Sequence, residues 1–190
     1  MLAAVAIVVG VLLIGVLFVV LLSFAATRPN TFQVKRTQSI QAPPDRIFAL
    51  IEDYRKWAAW SPYEKLDPTM KKTFSGAERG RGAVYNWAGN NKAGEGRMEI
   101  VDAVSPRLVK IKLDFLKPFE GHNTAEFTLD TKGGSPEVTW AMYGPQPFLF
   151  KLMAIFVNMD KMLGKDFSEG LANLKTIAEK RAAVAANGAR

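Results

Sequence analysis

The first 26 residues, MLAAVAIVVGVLLIGVLFVVLLSFAA, contain no charged side chain, and Leu2 to Leu22 is an unbroken run of apolar residues and glycine. Coiled as a helix, that run reaches about 31 Å, close to the roughly 30 Å hydrocarbon thickness of a bilayer. It has no polar face to turn toward water, so it does not fit a core helix of a soluble domain. A cleavable signal peptide is the competing reading, with Ser23-Phe24-Ala25 as a small-x-small site. The apolar stretch is too long for a usual signal core and no basic segment precedes it, which favours a membrane anchor. The nearest charges, Arg28, Lys35 and Arg36, all follow the run, and this favours a cytoplasmic C-terminal domain.

After a polar connector at Thr27–Thr37, the pattern turns to short helices. In IQAPPD (Ile40–Asp45), Pro43 and Pro44 suit a first helical turn, and Ile47, Phe48, Leu50 and Ile51 follow as an apolar face. A second short helix carries Tyr54–Trp60, and Ser61-Pro62 ends it. Trp57, Trp60 and Tyr63 recur there at spacings of three, which places them on one helix face.

From Thr69 to Tyr143 the period becomes two. Tyr85 and Trp87 share a face of one strand. Val109, Ile111, Leu113 and Phe115 alternate with Lys110, Lys112 and Asp114, and Phe127 and Leu129 alternate with charged or polar residues, as do Val138, Trp140 and Met142. One wet and one buried face is the pattern of an antiparallel sheet. Turn chemistry falls between the runs, at GNNKAG (Gly89–Gly94), SPR (Ser105–Arg107) and KGGSP (Lys132–Pro136). These runs amount to six strands, with a seventh at Phe32–Gln41. Helical spacing then returns at Leu149, Leu152, Phe156, Met159, Leu163, Phe167, Leu171 and Leu174, read as one helix of about seven turns. The order predicts an α+β fold in which a sheet of about seven antiparallel strands wraps a long C-terminal helix. Its expected parts are an anchor at 1–27, a linker at 28–37, a folded domain at 38–180 and a frayed tail at 181–190.

Charge and candidate chemistry narrow the function. The net charge is +7 and the pI about 9.7, but the basic residues are scattered among acids and apolar residues. This reads as a solvated surface rather than a nucleic-acid face, and behind an anchor it suits an acidic leaflet. Without cysteine there is no disulfide, thiolate site or cysteine nucleophile. His122 is the only histidine, and strand parity puts it on the wet side, so it is read as a surface residue. No ligand set of usual metal spacing is present, and no cofactor is expected. The glycines of GAERGRG (Gly76–Gly82) lie between strands, whereas a phosphate loop leads from a strand into a helix.

What remains is the aromatic lining. Tyr85, Trp87, Phe115, Phe127 and Trp140 are expected to face Leu152, Phe156 and Met159, with Asn123 as the one strongly polar inward group. A solid core is the plain alternative. The excess of large flat side chains, with Met142, Met153, Met159 and Met162 as an adaptable wall, favours a mostly apolar cavity.

The segments IQAPPDRIFAL (Ile40–Leu50), WAAWSP (Trp57–Pro62), GAVYNW (Gly82–Trp87), GEGRMEI (Gly94–Ile100), Leu113-Asp114-Phe115 and Val138-Thr139-Trp140 resemble the helix-grip superfamily. That superfamily includes START-type lipid-transfer domains, polyketide cyclases/dehydrases and plant-pollen-allergen-type carriers. The resemblance covers about residues 32–180. It implies a deep apolar cavity between sheet and C-terminal helix, with the short helices near its mouth, Trp60 at the lip and Trp57 stapling the helix to the sheet. No branch-specific catalytic motif is evident. The expected function is therefore a membrane-anchored module that binds or transfers a hydrophobic molecule, in particular a lipid. A cyclase/dehydratase using Tyr85, Glu99 or His122 is the first alternative, and a protein-interaction module without a small ligand the second.

Overall fold

A computed structural model describes residues 1–132 and 135–188. The two glycines of the KGGSP turn, Gly133 and Gly134, lie outside the described residues, as do the last two of the chain. Two compact units are present, one formed by residues 1–32 with 145–159 and the other by 33–144 with 160 onward.

The first unit holds helix α1 (Leu2–Thr27) and the short helix α3 (Phe148–Met153). A stretch of 25 residues in α1, Ala3–Thr27, is long and apolar enough to cross a membrane. Ala25 is buried where α1 packs on α3. The Asn30 carbonyl accepts from Gln146 N–H at 2.7 Å, and the Asn30 side-chain oxygen accepts from Lys151 Nζ at 2.6 Å.

The larger unit is built on a seven-stranded sheet. Its strands are β1 (Thr31–Ser39), β2 (Lys71–Gly76), β3 (Ala83–Ala88), β4 (Glu95–Val104), β5 (Leu108–Lys117), β6 (Gly121–Lys132) and β7 (Ser135–Pro145). They lie in the order β1-β7-β6-β5-β4-β3-β2, a meander from β2 to β7 with β1 closing the far edge. The register carries the sequence alternation across the sheet. Tyr85 pairs with Met98, Met98 with Leu113 and Leu113 with Asn123, so these four form one row on the inner face. A second row runs Trp87, Gly96, Phe115, Gly121. Gly96 is required there, because a Cβ would collide with the Trp87 ring and the Asp114 carbonyl.

Helix α4 (Met159–Gly188) covers the inner face. Phe167, Leu171, Leu174 and Ala178, at steps of four, three and four, form its buried stripe. It meets the sheet at Trp140, whose ring stacks on Phe167 with centroids 4.3 Å apart and planes 9° apart. Gly170 permits this approach, since a Cβ there would lie 2.7 Å from Trp140 Cζ3 and 3.1 Å from Pro62 Cδ. Arg36 on β1 pairs with Asp160 at 2.9 Å, and Gln41 N–H donates to Glu179 at 2.7 Å, fixing α4 along that edge. The fold is the expected α+β helix-grip architecture.

Three boundaries differ from expectation. The single helix from Leu149 is two: α3 ends at Met153, and α4 begins at Met159. Between them Ile155 and Val157 are β-branched, and Asn158 is a residue type favoured immediately before a helix. Helix α4 also continues over residues 181–188, expected as tail, where RAAVAANG is rich in the strongest helix former. The linker is shorter than residues 28–37, because β1 starts at Thr31.

Candidate functional site

Helix α2 (Pro44–Ile51) starts with proline in its first turn and buries Ile47, Phe48, Leu50 and Ile51. Two 3₁₀ helices follow, Tyr54–Ala59 and Pro62–Lys65. The Asp53 side chain caps the first by accepting from Arg55 N–H at 3.0 Å. The indole N–H of Trp57 donates to the Ile51 carbonyl at 2.8 Å, and that of Trp60 to the Leu50 carbonyl at 3.1 Å. Carbonyls at a helix C-terminus lack intrahelical partners, so both tryptophans fasten this segment to α2. Trp60 is fully buried, which corrects its placement at a lip. Trp57 reaches the pocket instead.

That pocket lies in the larger unit and has a volume of about 200 Å³. The sheet supplies Tyr85, Trp87, Met98, Leu113 and Phe115, with Ala125, Trp140 and Met142 deeper along it; α4 adds Leu163 and Phe167. The 3₁₀ segment contributes Trp57, Ser61, Tyr63 and Glu64. Leu66 and Met70 from one loop, and Lys92 and Ala93 from the β3–β4 hairpin, complete the rim. Asp67 ties these two rim segments together. Its carboxylate accepts from Thr69 N–H at 2.9 Å, Thr69 Oγ1–H at 2.8 Å and Asn90 N–H at 2.7 Å. The Thr69 hydroxyl bond, then the backbone bonds from Thr69 and Asn90, hold the Asp67 carboxyl below its ordinary range.

Four of the ten expected contact residues, Tyr85, Trp87, Phe115 and Trp140, line this pocket. The other six stand elsewhere. Phe127 is fully buried behind the wall, stacked on Trp140 with centroids 4.9 Å apart. Asn123 is on the inner face as expected, but its amide rests against Gly144 rather than in the lining. Leu152, Phe156 and Met159 are absent from the lining, which corrects their expected role: the break between α3 and α4 takes Leu152 and Phe156 out of α4, and Met159 is its first residue. Phe156 is 74% exposed. Trp60, as above, is core.

The wall contains few polar groups. Tyr85 O–H donates to Glu64 Oε1 at 2.8 Å, and Lys72 Nζ pairs with Glu64 Oε2. The Glu64 side chain is only 7% exposed, and both of its oxygens are engaged, one by Tyr85 and one by Lys72. Burial, then the bond to Glu64, push the Tyr85 phenol far above its usual range. It therefore stays protonated and acts as a donor. Two further groups, Ser61 Oγ and Trp140 Nε1, are buried without a hydrogen-bond partner among the described residues. Such an unpaired group costs about 1–3 kcal/mol.

The other two expected proton-transfer candidates lie off the pocket. Glu99 pairs with Arg97 at 2.7 Å. His122 is exposed, as strand parity implied, and its Nδ1 lies 2.7 Å from Asp114 Oδ1. Sequence reasoning missed Ser61, Glu64 and the rim residue Asp67. The only signal for Glu64 is its place in SPYEK, directly after the tryptophan pair.

A sheet closed by a long helix over an apolar recess, entered beside two short helices, defines the class. The chain belongs to the family described as polyketide cyclase / dehydrase and lipid transport, which matches residues 31–179. A comparison with curated proteins finds no match. Among solved structures, the chain is similar to a protein from Mesorhizobium loti at 13% identity and a TM-score of 0.58, covering 78% of this chain and 98% of that one. It is similar to a Mycobacterium smegmatis protein at 17% identity and a TM-score of 0.55, covering 78% and 92% of the two chains. The ginseng major latex-like protein 151 from Panax ginseng aligns at 15% identity with a TM-score of 0.54, covering 79% and 99%. At these identities the likeness is one of fold.

Proposed function

We propose that the domain binds a compact hydrophobic molecule in the aromatic pocket, and that α1 holds it at a membrane. The observation that carries this reading is the composition of the wall, which is aromatic and aliphatic apart from the Tyr85–Glu64–Lys72 chain and a few rim groups. Ligand sites of drug-sized molecules are about 300–1,000 Å³, so a pocket of about 200 Å³ suits one ring system or a single short chain. Within the lipid class this favours a one-chain or ring-shaped molecule over a two-chain phospholipid.

For the anchor, the contacts at the end of α1 are informative. A signal peptide is discarded on cleavage, whereas here Ala25 is buried where α1 packs on α3 of its own unit. This packing supports retention of the helix. Arg28, Lys35 and Arg36 after it support a cytoplasmic domain.

A cyclase/dehydratase reading has one supporting observation, a tyrosine in the pocket bonded to a buried carboxylate. Because Tyr85 is held protonated, it can donate a hydrogen bond to a ligand oxygen, but its raised pKa suits it neither as a base nor as a proton-releasing acid at neutral pH. The binding reading needs no further group and is preferred.

The test is to purify the full chain in nanodiscs, extract it with solvent and identify bound molecules by mass spectrometry, beside an Ala125→Phe variant that fills the pocket. Ala125 is buried in the lining, and overpacking of this kind costs about 1–3 kcal/mol, which a stable domain tolerates. A compound present in the wild type and lost in the folded variant supports the reading. The same extract from both proteins overturns it.

A further inference from the structure

The unit that contains α1 has a surface unlike that of a soluble domain. Residues 148–157 read FLFKLMAIFV. Phe156 is 74% exposed, Leu149 56%, Phe148 48%, Val157 41% and Met153 40%. Single exposed apolar residues are ordinary, but five within ten positions concentrate apolar surface on one short segment, and such concentrations mark an interaction surface.

Two observations identify the partner. First, α3, which forms part of that segment, packs on α1 within the same compact unit. The segment therefore continues the apolar surface of a helix long enough to cross a bilayer. Second, residues 1–32 and 145–159 contain no aspartate or glutamate, and of their two basic side chains Arg28 is exposed while Lys151 is buried on Asn30. An apolar surface with an exposed cation and no acidic group matches acyl chains beneath anionic headgroups. Arg28 lies over the Phe24 ring at 4.7 Å, near the end of α1, where a cation belongs at a headgroup layer. Helix α3 has six residues, too few to span a bilayer, so its place is in the interface plane.

We infer that residues 148–157 insert into the bilayer interface beside α1, giving the chain a second membrane contact. This rests on α1 spanning the bilayer, and the two contacts are separable by experiment. The chain has no cysteine, so a single introduced cysteine carries a single nitroxide label. Full-length Phe156→Cys and Leu149→Cys are reconstituted in vesicles of phosphatidylcholine and phosphatidylglycerol, with Phe18→Cys in α1 and Glu169→Cys on exposed α4 as references. Labels at 156 and 149 should collide more with dissolved oxygen than with a water-soluble nickel chelate, as at 18, with the reverse at 169. The aqueous pattern at 156 and 149, with the lipid pattern kept at 18, overturns the inference and leaves the anchor standing. The aqueous pattern at 18 removes both. Labels at 156 and 149 shielded from both reagents would mean that protein covers the segment, and this too overturns the inference.

Discussion

The two faces of the sheet are made by the same strands and follow opposite chemistry. On the inner face, Trp140 stacks on Phe127 and Phe167 and meets Trp57, Trp60 and Tyr63 edge-on. On the outer face of β4–β6, Arg97 pairs with Glu99, Lys112 with Asp114, and Lys110 with Glu126. Aromatic pairs add about 0.5–1.5 kcal/mol each beyond their buried area, whereas a solvent-facing ion pair such as Arg97–Glu99 adds about 0–1, Asp114 being the one buried member of the outer-face pairs. Stability is thus concentrated on the face that also carries the pocket. Changes meant for binding will act on folding, and changes to the outer face will mostly act on neither.

The strongest way to break that comparison is Trp140→Ala. Loss of this central ring should cost about 3–5 kcal/mol, read as a lower urea midpoint. A loss below about 1 kcal/mol would show that the inner face is not the main source of stability. Next is Gly170→Ala, which places a methyl against Trp140 and Pro62. A cost of about 1–3 kcal/mol is expected from overpacking, together with a changed Trp140 environment in near-ultraviolet circular dichroism. Ser61→Ala sharpens the comparison in a different direction. It removes an unpaired buried hydroxyl, so stability should hold or rise by about 1 kcal/mol. A ligand that uses this hydroxyl would then bind more weakly to an equally stable protein.

The smallest effect belongs to the outer face. The bond to Asp114, opposed by slight desolvation and helped by the Asp114 and Glu120 charges, raises the His122 pKa above its ordinary value. Burial works against the Asp114 carboxylate, but bonds from His122 and Lys112 outweigh it and lower its pKa. A group with a raised folded pKa stabilises fully below its unfolded value, about 6.5, and loses that contribution as pH rises through the folded value. Wild type should therefore exceed His122→Asn in melting temperature near about pH 5, with the gap closing toward about pH 8. A gap that widened with rising pH would refute the pairing.

The sequence made the sheet legible because strand parity carries burial directly: Tyr85, Met98 and Leu113 share an inner row, and His122 faces out. Periodicity gives the side of an element and not its depth, which is why Trp60 looked like a lip residue and is core. Phe156 illustrates a second limit. Its spacing continues the helical stripe, yet the break before Met159 removes it from that helix. Glu64 could not be read from any pattern, because its role depends on Lys72 and Tyr85, eight and 21 residues away in sequence.

Three of the four tryptophans form one cluster, with ring centroids 4.9, 5.6 and 6.4 Å apart among Trp57, Trp60 and Trp140. At such distances their electronic transitions couple, and the circular dichroism they produce depends on mutual ring orientation. Two of the three, Trp57 and Trp140, also line the pocket. The domain thus carries an optical gauge of its own binding wall, one that responds to a small rotation of an indole without an attached dye.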